Sequence, residues 1–115
     1  MVHEMKLHPQ PFDMIASGKK TIELRLHDEK RKKIQIGDTI VFSKTTDPSE
    51  RLETQVTGLY PFRTFEELYY NLPLHRCGYL PEELLTASPK YMEAYYSLEE
   101  QAKYGVLGIE IKLRK

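Results

Sequence analysis

The sequence contains one cysteine among its 115 residues and no long apolar segment. Because Cys77 has no second cysteine to pair with, an internal disulfide is excluded and a reducing compartment is expected. No apolar run approaches the roughly 20 residues of a membrane span, and the N-terminal stretch lacks the apolar region of a signal peptide. We therefore expect a cytoplasmic protein that does not interact with membranes.

Histidine is also scarce, and the four histidines are not arranged as metal ligands. His3, His8, His27 and His75 show no metal-ligand spacing, and a single cysteine argues against a zinc site. We therefore expect neither a bound metal nor a cofactor.

The chain has no net charge, but its charges are unevenly distributed. The sequence has 17 lysine and arginine residues and 17 aspartate and glutamate residues. The net charge therefore gives no indication of the binding partner. Residues 18–33 carry seven basic and three acidic side chains, whereas residues 82–100 carry five glutamates and one lysine. A neutral protein with one basic region can still bind an anion locally.

The length fits a single domain over residues 1–115.

Hydrophobic periodicity predicts about five strands with helices between them. The predicted strands are His3–His8, the segment following Gly18, Thr39–Ser43, Leu52–Tyr60 and Val106–Arg114. Helices are predicted over Pro11–Ser17, Thr64–Leu72 and Glu82–Ala87 and after the capping residues Ser88 and Ser97, and residues 27–37 are predicted as a loop. Because strands and helices do not alternate regularly, a doubly wound parallel sheet is disfavoured. The pattern favours the α+β class, as a small, mostly antiparallel β-barrel with peripheral helices.

The apolar phases of these strands predict one barrel core. We expect the following residues to be buried together: Ile22, Leu24, Ile40, Phe42, Val56, Ile109 and Ile111. The helix after Ser88 is expected to pack through an apolar stripe of Tyr91, Met92, Tyr95 and Tyr96.

The strand that follows Gly18 places charged side chains on the face opposite its apolar residues. Glu23 and Arg25 share that face, whereas strict alternation puts Lys20 on the other face unless the strand begins after Lys20. Arginine offers a bidentate fork to phosphate or a base edge, and glutamate can accept from an amino group or orient the arginine. The same residues also fit a solvated ion pair worth less than ~1 kcal/mol. The pattern alone therefore leaves a ligand site and a solvated face open.

Gly18, Lys20, Glu23 and Arg25 spell Gly-x-Lys-x-x-Glu-x-Arg, which resembles the signature of the ASCH domain family of the PUA-like superfamily. A Gly-Asp turn before the third strand and a closing strand of the Gly-Ile-Glu-Ile type agree with this family. The resemblance implies a PUA-like β-barrel with a positively lined cleft between the barrel and the first helix. It also implies RNA binding, because the family is similar to RNA-binding PUA domains.

One branch of the family hydrolyses N4-acetylcytidine with a lysine, a threonine and a glutamate. By resemblance, Lys20 matches the lysine and Glu67 is a candidate for the glutamate, but Glu23 occupies the threonine position. We therefore assign no catalytic residue; if the chain is an enzyme, the candidates are Lys20, Glu23 and Glu67.

The leading functional hypothesis is a module that binds RNA or a nucleotide-like ligand. The alternatives are a small hydrolase acting on a modified nucleoside and a sensor of a nucleotide-like molecule. The run Lys30–Lys33 would contact phosphates, unless it is a solvated loop, and Tyr60 would stack on a base, unless it is a core residue. The predicted ligand-binding residues are Gly18, Lys20, Thr21, Glu23, Arg25, Lys30, Arg31, Lys32, Lys33 and Tyr60.

Overall fold

A computed structural model describes residues 1–114, so Lys115, the last residue of the expected domain, lies outside the described range. The strands are β1 (Val2–Leu7), β2 (Ile22–Leu26), β3 (Thr39–Lys44), β4 (Asp47–Phe62) and β5 (Val106–Leu113). The α-helices are α1 (Pro9–Ala16), α2 (Glu29–Lys32), α3 (Phe65–Asn71) and α4 (Leu98–Tyr104). Short 3-10 helices at Leu74–Cys77, Pro81–Glu83 and Pro89–Ala94 lie between α3 and α4.

The five strands form one sheet in the order β1-β3-β4-β5-β2. β1 runs parallel to β3, and the other neighbouring strands are antiparallel. The ladder shifts register between Ser43 and Lys44 and again between Val56 and Gly58, and such irregularities bend a sheet and increase its twist. The sheet is curled into a half-barrel with helices around it. This architecture confirms the predicted α+β class and the mostly antiparallel sheet.

Two local predictions in the first half of the chain differ from the structure. The interval predicted as a loop contains α2, because the Asp28 side chain caps this helix by accepting a hydrogen bond from the Arg31 backbone N–H. β4 begins at Asp47 instead of Leu52, because the chain turns before Asp47 and Lys44 already pairs with Asp47 across the hairpin.

The segment between α3 and α4 is less helical than predicted. The helix predicted over Glu82–Ala87 is reduced to the 3-10 turn Pro81–Glu83, and the segment after Ser88 is also a 3-10 helix. Both turns carry a proline at one of their first two positions. Of the apolar stripe predicted there, Met92 and Tyr96 are half-buried against the core, whereas Tyr91 and Tyr95 are exposed.

The core is divided into two clusters, so the prediction of a single barrel core is wrong. All seven predicted residues are buried, but Ile40, Phe42, Val56, Ile109 and Ile111 belong to one cluster, and Ile22 and Leu24 belong to another. The reason is the register of β2 on β5. Glu23 pairs with Ile109, so Ile22 points to the opposite face, where the second cluster includes Phe65 and Leu68 of α3.

The free edge of β1 is contacted by charged side chains from other elements. The backbone oxygens of Glu4 and Lys6 face away from β3, because alternate residues of a parallel strand bond to the same neighbour. Arg25 Nη2 donates to Lys6 O at 2.8 Å, and Lys30 Nζ donates to Glu4 O at 2.9 Å. These bonds connect β2 and α2 to β1.

None of the helices in residues 1–114 combines the length and the apolar character needed to cross a membrane.

Candidate ligand-binding cleft

The charged residues of the motif form a buried ion cluster, which consists of Lys20, Glu23 and Arg25. Glu23 Oε1 lies 2.8 Å from Lys20 Nζ, and Glu23 Oε2 accepts a 2.7 Å hydrogen bond from Arg25 Nε. Glu23 is 4% exposed, and the side chains of Lys20 and Arg25 are 11% and 13% exposed. The alternative of a solvated ion pair therefore does not describe this face.

Lys20 belongs to the ion cluster because β2 begins after it, at Ile22. Gly18 has a φ of +81°, which lets the chain turn after α1, and the Lys20 N–H donates to Met14 O in that turn. Gly78 lies against the aliphatic part of Lys20 and has a φ of +105°; a Cβ at this position would be 3.2 Å from Lys20 Cδ. Both the backbone conformation and the available space therefore favour glycine beside Lys20.

The electrostatics of the ion cluster keep Glu23 ionised. Burial raises the pKa of Glu23, but the charges and hydrogen bonds of Lys20 and Arg25 outweigh burial and hold the pKa below its ordinary value. Burial likewise lowers the pKa of Arg25, and Glu23 together with Tyr96 outweighs it, so the pKa of Arg25 is raised. The ionised carboxylate of Glu23 is therefore held between the guanidinium of Arg25 and the side chain of Lys20.

A cleft of about 880 Å³ opens beside the ion cluster. It is lined by α1, the end of β1, the middle of β2 and residues of the segment from Tyr69 to Tyr96. The charged residues in its lining are Lys6, Lys20, Glu23, Arg25 and Glu83. The lining is thus mixed in charge, with the cations concentrated on the strand side.

Five tyrosines line the same cleft, and we call them the tyrosine wall: Tyr69, Tyr79, Tyr91, Tyr95 and Tyr96. The hydroxyl groups of Tyr69 and Tyr79 are hydrogen-bonded, and the two rings meet edge to face at 5.8 Å. Tyr96 stacks on the buried Phe65. The wall is therefore partly fixed by contacts within the protein.

The expected packing role of Tyr91 and Tyr95 is not what the structure shows. Tyr91 is 56% exposed and Tyr95 is 66% exposed, although both follow the spacing of an α-helical apolar stripe. Met92 and Tyr96 of the same predicted stripe are half-buried against the core, so the stripe is divided between packing residues and exposed residues of the cleft. Sequence reasoning missed these two residues as cleft residues; the surplus of tyrosine after position 68 was the available signal.

Part of the predicted phosphate-contacting run lies in a separate depression of about 510 Å³, the basic groove. Its charged lining consists of Glu4, Lys6, Arg25, Lys30, Arg31 and Arg51. Lys6 and Arg25 line the cleft as well, so the two depressions meet at these residues. Lys32 and Lys33 are exposed outside both linings, and Lys32 pairs with Glu29 at 3.4 Å.

Thr21 and Tyr60 are not brought together with the ion cluster. Thr21 Oγ1 accepts a 2.8 Å hydrogen bond from Arg76 Nε, and Arg76 also binds Glu110, which accepts a 2.9 Å hydrogen bond from the Tyr60 hydroxyl. Glu110 pairs with Ile22 in the ladder, so this network lies on the sheet face opposite Glu23. It connects the Leu74–Cys77 turn to the start of β2.

Glu67 also lies outside the cleft lining. It is an exposed residue in the first turn of α3, where its backbone N–H donates to Thr64 Oγ1. No group of three or more His, Cys, Asp or Glu side chains in the described residues could hold a metal ion.

The chain belongs to the ASCH domain family: the family model matches residues 5–114. The sequence resemblance to that family is thereby confirmed, and the match includes the whole ion cluster. A search of curated proteins finds no match.

Several solved structures have the same fold. The chain is similar to the hypothetical protein PH0355, whose crystal structure matches 99% of this chain and 100% of that chain with a TM-score of 0.81 and 32% identity. It is also similar to protein PF0455 from Pyrococcus furiosus, whose solution NMR structure covers 100% of this chain and 99% of that chain with a TM-score of 0.69 and 32% identity. The crystal structure of ASCH from Zymomonas mobilis covers 99% of this chain and 67% of that chain with a TM-score of 0.66; at 17% identity it supports the fold alone.

Proposed function

We propose that this protein is a binding module that holds one nucleotide unit, in the simplest case of RNA, in the cleft beside the ion cluster. The observation that carries the proposal is that two largely buried cations and the tyrosine wall line the same cleft. A nucleotide combines an anionic group with a flat aromatic base, and this lining offers a partner for each. The family's similarity to RNA-binding PUA domains agrees with this choice of ligand.

Arg25 is the residue best suited to contact the anionic group or a base edge. Its guanidinium carries five N–H donors, and two of them are used by Glu23 and by Lys6 O. The remaining donors form a planar fork that suits phosphate or the edge of a base. Because both bonds also fix the orientation of the guanidinium, little side-chain freedom is lost when a ligand binds.

Glu23 acts in this proposal by positioning the two cations. Its side chain is 5% exposed and each carboxylate oxygen already has a cationic partner. The tyrosine wall supplies stacking surfaces, and base–aromatic stacking contributes about 1–3 kcal/mol per base. Tyr91 and Tyr95 are exposed enough to serve in this way.

A hydrolase of the N4-acetylcytidine type is supported less well. Lys20 lies in the cleft, but the position of the expected hydroxyl nucleophile is taken by the ionised Glu23, which accepts hydrogen bonds without donating one. Attack by a carboxylate on an amide would form an anhydride and would require an acid for the leaving amine. Glu67, the candidate for the third residue, is exposed on α3 outside the cleft lining.

Calorimetric titration with the four ribonucleoside 5′-monophosphates tests the proposal. Tyr95→Ala should weaken binding of the preferred nucleotide by about tenfold, which corresponds to roughly 1.4 kcal/mol. Tyr70→Ala is the matched control, because Tyr70 is 90% exposed and lies outside the cleft lining, and it should leave the affinity unchanged. Arg25→Ala should weaken nucleotide binding more than Glu23→Gln. Arg63→Ala removes an exposed arginine outside the cleft lining and is the control for Arg25→Ala, so it should leave the affinity unchanged. Equal losses in Tyr95→Ala and Tyr70→Ala, or no binding of any nucleotide at millimolar concentration, would contradict the proposal.

A further inference from the structure

We infer that the ligand is a single strand of nucleic acid whose sugar-phosphate backbone leaves the cleft beside Arg25 and follows the basic groove. This inference rests on the proposed function and names the class of ligand that the same site would take. It differs from binding of a free nucleotide, which would occupy the cleft alone.

The charge of the basic groove is the first observation. Five basic side chains line it, namely Lys6, Arg25, Lys30, Arg31 and Arg51, and Glu4 is the one carboxylate in the lining. Arg31 is paired with Asp28, and Arg25 is paired with Glu23. Even when these two carboxylates are counted together with Glu4, the basic side chains of the groove outnumber the acidic ones. A groove of this composition in a protein without net charge is suited to a polyanion.

The second observation is how the cations are held. Lys30 Nζ and Arg25 Nη2 donate to the backbone oxygens of Glu4 and Lys6 on the free edge of β1. A carbonyl oxygen orients a cation without neutralising it, so both side chains keep their positive charge along this edge. Arg51 adds a further cation from β4, 3.9 Å from the Glu4 carboxylate and with 60% of its side chain exposed.

Arg31 provides a third observation. Its Nη1 donates to Asp28 at 2.9 Å, while its Nε is buried and has no hydrogen-bond partner among the described residues. Buried N–H groups of folded proteins are nearly always paired. Because this Nε is not exposed to the groove, what Arg31 offers a strand is the positive charge of a guanidinium that lines the groove and is 17% exposed.

The adjacency of the two depressions connects the observations. Lys6 and Arg25 line both the cleft and the basic groove, so the two depressions lie on either side of these residues. A strand with one base against the tyrosine wall can therefore place the next phosphate on the groove side of Arg25. Phosphate contacts of this kind position a strand and add affinity without reading its sequence.

The test compares a ribonucleoside 5′-monophosphate with the RNA tetranucleotide of the same base, both titrated calorimetrically over a range of salt concentrations. The tetranucleotide should bind at least tenfold more tightly than the monophosphate at low salt, and its affinity should fall as salt is added. In a plot of log affinity against log salt concentration, each lost phosphate contact makes the slope shallower by about 0.7. Arg51→Ala should reduce the slope by that amount. Lys33→Ala is the matched control, since it removes one exposed positive charge outside both linings, and it should leave the slope unchanged.

The outcomes separate this inference from the function on which it rests. If the monophosphate binds and the tetranucleotide binds no more tightly, the groove inference is overturned and the nucleotide-binding function stands. If Arg51→Ala and Lys33→Ala change the slope equally, the groove is overturned as a defined path. If neither ligand binds, both proposals fail. Monophosphate affinity should be the same in Arg51→Ala as in the parent, because Arg51 does not line the cleft.

Discussion

Replacing Glu23 with glutamine removes the negative charge from between two largely buried cations. Removal of one partner from a buried ion pair typically costs 3–5 kcal/mol, because the remaining charge is left buried without compensation. Since the side chains of Lys20 and Arg25 keep 11% and 13% exposure, we expect a loss in the free energy of unfolding at the lower end of that range, about 3 kcal/mol at pH 7. Domains are typically stable by about 5–15 kcal/mol, so Glu23→Gln should still fold.

Urea denaturation of a double-mutant cycle measures this effect directly. The cycle consists of Lys20→Met, Glu23→Gln and the combination, and the combination should be less destabilised than the sum of the single variants. The exposed pair Lys32–Glu29 provides a matched control in the same chain, with a 3.4 Å separation and 49% and 83% exposed side chains. Its cycle should give a coupling energy below ~1 kcal/mol. The reasoning is refuted if Glu23→Gln costs no more than Glu29→Gln.

The difference in unfolding free energy between the parent and Glu23→Gln should depend on pH. Because the folded-state pKa of Glu23 is depressed, its contribution to stability is present above the unfolded-state pKa and is lost as the pH falls through the folded-state pKa. The ordinary pKa of a glutamate in an unfolded chain is 4.5. The stability difference between the parent and Glu23→Gln should therefore be full at neutral pH and shrink progressively below that value. A difference that is constant down to pH 3 would contradict the assignment of an ionised carboxylate.

Three further predictions concern packing, backbone and chemistry. Ile109→Ala should lower the free energy of unfolding by about 2–4 kcal/mol, because Ile109 is fully buried in the larger core cluster; a loss under 1 kcal/mol by urea denaturation would contradict this. Gly78→Ala should destabilise by about 1–2 kcal/mol through its positive φ and should weaken ligand binding by displacing Lys20, whereas a neutral effect in both assays would speak against it. Chromatography of N4-acetylcytidine incubated for hours with high concentrations of the protein should show no cytidine above a no-protein control, and turnover that disappears in Glu23→Gln would instead make Glu23 a catalytic base.

Much of the sheet could be predicted from periodicity, because buried strands alternate apolar and polar residues. The alternation of β5 is a clear case, and Ile109 and Ile111 are buried as expected. The division into two core clusters could not be predicted in the same way. Alternation gives the relative orientation of residues within one strand, but whether Ile22 and Ile109 share a face depends on the pairing register, which is a property of the folded sheet.

The candidate site was predictable in its residues but not in its environment. The motif named Lys20, Glu23 and Arg25, yet alternation treats a charged face as solvent-exposed, and Glu23 is buried because two cations compensate its charge. Lys20 joins the cluster because of where β2 begins, a boundary that periodicity locates poorly. Tyr95 was predicted to pack because its spacing suits an α-helix, but the segment forms a 3-10 helix that ends at Ala94, and Tyr95 is exposed.

The hydrogen bonds on the free edge of β1 have a consequence for contacts between chains. An edge strand with unpaired backbone groups is a template to which another extended polypeptide can add. Here Arg25 and Lys30 already bond to the outward-facing oxygens of Lys6 and Glu4, so an incoming strand would have to displace two charged side chains. Protection against intermolecular β-pairing and contact with the proposed ligand are therefore assigned to the same two residues, and substitutions at Arg25 or Lys30 would alter both.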